Sequence, residues 1–411
     1  MKTKNICAIL ITLNLLAVSC RQDPIFHVIS TETAPRPPRI EGAPTNMVVF
    51  QREYPGREPV SIMYVASGRL HWYAKSPGNV SAWDSDEYLI PQPDGKIISL
   101  AVAGKRLYAL CREGSGVNAK LRYIKSNGNE WETINSDVHQ EIQSIYTDAE
   151  TSQLFAGAGR NNYAILYLDN ASDTLKMLKS DTSIFSGAVY RDGDYYFSTR
   201  GSGIFKIAQA DLAANKTDSI KQLVDNTDIE EDKRNDNLVF ISMIKLNDNT
   251  TIIAVERNGG ALYEVHGDSF RRMKYTIGGN TDWIATGRYA TRAIALWQEN
   301  PEGGRKLLTV GIQGGLYSTT TSSYTYGYIE FDLKSDDSFD TGFVSRDPII
   351  SVRNDNDRYT ATLGKHPVNH LFQAPREVDD NMTFFASTQT AGLWSYRDRP
   401  DNGGWQWNGE E

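Results

Sequence analysis

Three cysteines and six histidines in 411 residues leave little material for a disulfide framework or an imidazole-based active site. Cys7 lies inside the N-terminal apolar run and Cys20 at its end, so Cys111 has no internal partner and stability must come from a packed core. The uncharged run Ile6 to Val18 has 13 residues, too short for a membrane helix, which takes roughly 20. No shift of composition divides the remaining chain, which speaks against two separate domains. A formal charge of -8 argues against a nucleic-acid partner, whose phosphates require a basic surface.

Lys2 and Lys4 before the apolar run give it the form of a secretory signal. The run ends in Ala17-Val18-Ser19-Cys20. These small residues before a cysteine resemble a bacterial lipoprotein processing site, with Ala17 where such sites usually carry leucine and Leu16 one step earlier. The resemblance implies that residues 1–19 are removed and that Cys20 becomes the acylated first residue, anchored by palmitate-like chains. At about 0.8 kcal/mol per buried methylene, two or three such chains hold a protein on a membrane essentially permanently. Residues 20–44, rich in Pro, Thr, Glu and Arg around Pro35-Arg36-Pro37-Pro38, are expected to form an extended tether. Ile25 to Ile29 is available there as an added outer strand, and residues 45–411 form the folded domain.

What that domain does contain is a repeat. A leucine or isoleucine recurs beside or near an aromatic after a glycine or polar corner: Leu70 with Trp72, Leu121 with Tyr123, Leu166 with Tyr167, Ile204 with Phe205, Leu262 with Tyr263, Leu316 with Tyr317, and Leu393 with Trp394. A period of about 40 to 50 residues marks radially stacked sheets, because one such unit cannot bury both its faces alone. The fold expected is all-β, a seven-bladed β-propeller of four-stranded antiparallel blades. Seven fourth strands follow: Tyr88 to Ile90, Trp131 to Ile134, Leu175 to Leu178, Ile220 to Val224, Phe270 to Tyr275, Tyr328 to Leu333 and Trp405 to Trp407. Small residues at or beside the second strand of each unit (Ala66, Ala109, Ala156, Ser198, Ala254, Thr309, Ala386) mark where neighbouring blades approach.

Gly311-Ile312-Gln313-Gly314-Gly315-Leu316-Tyr317-Ser318 and Ser387-Thr388-Gln389-Thr390-Ala391-Gly392-Leu393-Trp394 resemble the glycine-aromatic hairpins of secreted bacterial propellers of the sialidase-repeat and photosystem-assembly type. Gly128-Asn129-Glu130-Trp131 and Gly404-Trp405-Gln406-Trp407 resemble decayed Asp-boxes without the aspartate. The resemblance implies an architecture and no single activity. A sialidase-like enzyme needs an arginine cluster, a tyrosine nucleophile with a glutamate and an acid aspartate, and the residues here do not align with that set. No histidine adjoins a nucleophile elbow. His366 and His370 have the spacing of a helical metal pair, but Pro367 and the β pattern after it argue against a helix. Neither catalytic residue, metal nor cofactor is expected.

One pattern does point to binding. Where the second strand turns into the third, five units carry Arg69, Arg112, Arg160, Arg200 and Arg257, and the last two carry Gln313 and Gln389. Equivalent positions in a propeller fall on a circle, so these side chains are expected to ring one face, with acidic turns such as Asp148, Asp192 and Asp194 on the other. Three long connections, Asp225 to Asn237, Ile277 to Tyr289 and Lys334 to Pro367, emerge on the ring's side and add Trp283, Arg288, Tyr289, Arg346 and Arg353. Arginine and aromatic side chains are the usual anchors of interfaces. The sequence thus predicts a monomeric, non-enzymatic binding or scaffold lipoprotein of a bacterial cell envelope, on the outer membrane, that recognises a protein partner or an anionic glycan. The alternative is a carbohydrate-active hydrolase or lyase with a propeller catalytic domain.

Overall fold

The computed structural model describes residues 40, 44–74, 90–114, 119–138, 140–148, 150–226, 238–246, 252–257, 261–277, 280–283, 289–298, 306–315, 327–333, 349–350, 368–375, 382–389, 392–399 and 404–409. All belong to the compact unit Pro38–Glu411. The expected signal, Cys20, Leu316, Tyr317, Arg288, Arg346 and Arg353 lie outside the described residues.

The described strands form seven sheets of three to five strands, together with one two-stranded hairpin. The first strands of the seven sheets are Met47–Arg52, Lys96–Ala103, Ile142–Thr147, Phe185–Arg191, Phe240–Lys245, Tyr289–Gln298 and Val368–Pro375. Each lies against the first strand of the next sheet, and Val368–Pro375 lies against Met47–Arg52. The result is a propeller-like arrangement of small sheets with these strands innermost.

Second strands are buried on both faces: Leu154–Ala158 is buried throughout, whereas the innermost Met47–Arg52 is buried only at Met47, Phe50 and Arg52. Ala66, Ala109, Ala156, Ser198, Ala254, Thr309 and Ala386 are all fully buried, as close sheet-to-sheet approach requires. Gly157 shows how tight the approach is: a Cβ there would sit 2.7 Å from Ser144 Oγ and 3.0 Å from Phe185 Cβ of the next sheet. Aromatic rings fill the wider gaps, with Phe155 edge-on to Phe197 at 4.8 Å between the third and fourth sheets. Ile40, fully buried, joins Met47, Met63, Val65, Ala374, Phe385 and Leu393 between the first and last sheets. Its carbonyl accepts a hydrogen bond from Leu393 N at 3.2 Å.

Three details of the strand pattern differ from expectation. First, the sheets are not uniformly four-stranded and antiparallel. Three strands are described in the first, and Asn135–Ser136 and Val224–Asp225 add a fifth, parallel strand to the third and fifth. These added strands cover outer edges whose backbone groups would otherwise be unpaired. Second, Gly327–Asp332 is the third strand of the sixth sheet, and Ile349–Ile350 is the fourth. Tyr328 to Leu333 had the right alternation but the wrong place, because the long strand Lys306–Gly315 runs through the glycines expected to form its corner. Third, Phe270 to Tyr275 is divided: Ser269–Arg272 completes the fifth sheet, and Lys274–Ile277 turns back to pair with Asn280–Trp283. The connection after Ile277 therefore contains a hairpin strand, which carries Trp283, and Tyr289 begins the sixth innermost strand.

Candidate binding rim

A recurrent β-bulge fixes which residues are equivalent. In six sheets the innermost strand skips one residue near its start: Ile97 and Ser99, Ile142 and Ser144, Phe185 and Gly187, Phe240 and Ser242, Thr291 and Ala293, and Val368 and His370 pair with consecutive residues of the second strand. One residue beyond the second-strand residue opposite the start of the bulge stand Arg112 (which still pairs with Lys96), Arg200, Arg257, Gln313 (which lies inside its strand) and Gln389. The third sheet has Gly159 there, so Arg160 is displaced by one residue from the position expected of it.

Backbone bonds place these corners at the starts of the innermost strands, of their own sheet or of the next. Ile97 N of the second sheet donates to Gly68 O in the first corner at 3.0 Å, beside Arg69. Gly159 N donates to Glu141 O at 2.8 Å, Arg200 N to Ile184 O at 2.8 Å and Arg257 N to Val239 O at 2.9 Å. Arg200 also bridges to Val239, placing the fourth and fifth corners on either side of one residue. All five arginines and Gln389 are exposed. Gln313 lies in strand Lys306–Gly315.

The rim is not uniformly basic. Glu141, whose side chain is only 7% exposed, accepts from Arg160 Nε at 2.7 Å and lies 3.4 Å from Arg112 Nη2. Its neighbour Gln140 has a buried Oε1 without a hydrogen-bond partner. Two guanidinium groups therefore converge on a carboxylate that belongs to the protein itself. Arg200 and Arg257 have no carboxylate partner among the described residues. Glu141 escaped the sequence reading because its position depends on strand register; the spacing between Arg112 and Arg160 was the available signal.

Polar side chains near the starts of the innermost strands reach the backbone of the next sheet. Ser144 Oγ donates to Phe185 O at 3.4 Å, and Asn46 exchanges two bonds with the Leu100 backbone in the first pair of sheets. The six residues after the bulge are Ser99, Ser144, Gly187, Ser242, Ala293 and His370, so only the last is bulky. His370 Nδ1 and its cross-strand neighbour Ser387 Oγ are both buried without hydrogen-bond partners. Burial pushes the His370 imidazole down to about 4.

On the opposite end, many charges are already paired. Buried Asp148 accepts from Glu150 N, Thr151 N and Tyr190 N. Lys245 Nζ reaches Glu150 at 2.5 Å, and Lys206 bridges Asp194 and Asp268. Arg52, buried at the end of the first innermost strand, donates to Lys125 O and Gly128 O of the second sheet at 2.9 and 2.8 Å. Arg191 does the same from the fourth sheet to Val265 O of the fifth at 3.1 Å. These contacts hold adjacent sheets together and leave that face with less free charge than its acidic turns suggest. Cys111 is buried, and desolvation pushes its thiol up to about 12.

The chain matches no protein-family model and no curated protein by sequence. Among solved structures it is similar to a GH74 xyloglucanase from Xanthomonas campestris, with 12% identity and a TM-score of 0.50 over 92% of this chain and 56% of that one. It therefore spans about half of that enzyme. It is also similar to YCF48 from Cyanidioschyzon merolae, with 14% identity and a TM-score of 0.47 over 90% of this chain and 99% of that one. The N-terminal domain of Nup159 gives 8% identity and a TM-score of 0.45 over 87% of this chain and 91% of that one. Identities this low concern the fold alone.

Proposed function

We propose that this chain is a lipid-anchored, non-enzymatic binding or scaffold protein of a bacterial cell envelope, built as a seven-bladed propeller that presents the arginine rim to an anionic partner. The observation that carries the reading is that the corners holding Arg69, Arg112, Arg160, Arg200 and Arg257 lie at one end of the innermost strands, with contacts across three of the junctions between sheets: Gly68 to Ile97, Arg112 to Glu141 and Arg200 to Val239. Seven sheets whose innermost strands touch in cyclic order support the blade number. Export and anchoring through Cys20 rest on the N-terminal sequence. Isolated exposed ion pairs contribute only about 0 to 1 kcal/mol, so such a rim gains affinity from several arginines acting on one ligand.

The test is recovery of the partner that co-purifies after gentle membrane solubilisation, followed by a salt titration of the complex. Binding should weaken as salt rises and again when Arg200 and Arg257 are replaced by alanine. Binding indifferent to both overturns the rim as the contact surface. The competing hydrolase or lyase reading would use carboxylates on the same face, and the xyloglucanase likeness carries the fold and no chemistry. Product released from a panel of sialylated and uronic-acid glycans would replace the proposal with it.

A further inference from the structure

Glu141 occupies the residue immediately before the first paired residue of its innermost strand, Ile142. The equivalent residue of the fifth sheet, before Phe240, is Val239. Each has an arginine of the preceding sheet's corner and one of its own beside it: the side chains of Arg112 and Arg160 meet Glu141, and the backbones of Arg200 and Arg257 pair with Val239, Arg160 standing one residue beyond the position that Gly159 shares with Arg257. In the first case a carboxylate joins the two guanidinium groups. In the second the two arginines flank Val239 through the backbone, Arg200 as its bridge partner and Arg257 N as donor to its carbonyl, and the half-buried valine side chain can accept nothing. We infer that Arg200 and Arg257 form an open carboxylate site, in which an acidic side chain of a protein partner takes the place that Glu141 fills two sheets away.

This deepens the rim reading and rests on it. The internal counterpart defines the ligand class: one carboxylate on a flexible aliphatic arm, shared by two guanidinium groups, as a glutamate of an acidic segment presents it. Arg112 and Arg160 are already engaged, so the third corner contributes little to such a ligand. The inference thus separates arginines that the sequence alone leaves equivalent.

The test uses the purified full chain in detergent, with a fluorescent peptide of alternating glycine and glutamate as probe and hexagalacturonate as the glycan counterpart. The peptide should bind, and added salt should weaken it. Val239→Glu, which supplies the missing carboxylate from within, should lower peptide affinity about tenfold or more, as should the double variant Arg200→Ala with Arg257→Ala. Val239→Gln, close in size to glutamate but uncharged, should retain binding, and so should Val224→Ala on the outer edge of the fifth sheet. Unchanged affinity in Val239→Glu or in the double variant overturns the site, as does hexagalacturonate binding in place of the peptide. If salt-sensitive binding persists in those variants but is lost on replacing Arg69 or Arg112, the pair fails and the rim stands. Indifference to salt and to every rim arginine overturns both.

Discussion

Replacing Ile40 by alanine probes the junction between the first and last sheets. Ile40 is fully exchanged from solvent into a cluster contributed by both sheets, and its carbonyl accepts from Leu393 N. Truncation leaves the backbone bond and removes only the packing. Ile→Ala at a fully buried site costs about 2 to 5 kcal/mol, the transfer of the lost methylenes plus the cavity left behind. The assay is denaturant unfolding of the full chain, read as a shift of midpoint at unchanged slope. Val224, 62% exposed, supplies the control: Val224→Ala should change stability by less than about 0.5 kcal/mol. An Ile40→Ala variant as stable as that control would refute the view that this residue bonds the two ends of the domain.

Other expectations follow from single sites. Gly157→Ala should destabilise by about 1 to 3 kcal/mol in the same assay, because its Cβ would lie 2.7 Å from Ser144 Oγ and 3.0 Å from Phe185 Cβ, so that one of them must shift. The His370 imidazole, lowered from 6.5 to about 4, leaves the unfolded chain holding more protons between those values. Its contribution is therefore complete above pH 6.5 and is lost as pH falls toward 4, by at most about 3 kcal/mol and by less for a side chain only partly buried. His370→Ser, which restores the residue found in other sheets, should flatten that acid limb of the stability profile. Cys111, held protonated by burial, should resist maleimide in the folded chain at pH 7.5 and react on unfolding; rapid native labelling would contradict its placement.

The repeat was legible because it is written in side-chain types. Corner glycines, a buried leucine and small second-strand residues recur whatever the loops between them do, and the seven small residues prove fully buried. Register was not legible. The glycines after Val310 read as a corner, yet the backbone continues extended through them because Gly314 and Gly315 pair with Ala290 and Tyr289 of the innermost strand. Arg160 looked equivalent to Arg200, and only the bulge shows that Gly159 holds that position. Glu141 and Val239 were invisible as a contrasting pair for the same reason: their equivalence is a matter of hydrogen bonding across strands, which local sequence does not state.

Closure of the sheets around one axis can be measured directly by electron dipolar spectroscopy between spin labels at the corner residues, with Cys111 replaced by alanine. Labels at Arg69 and Gln389, on the first and last sheets, should be as close as labels at Arg200 and Arg257 on adjacent ones, and closer than labels at Arg69 and Arg200. A separation between 69 and 389 longer than either of the other two would contradict a closed ring and, with it, a continuous arginine rim.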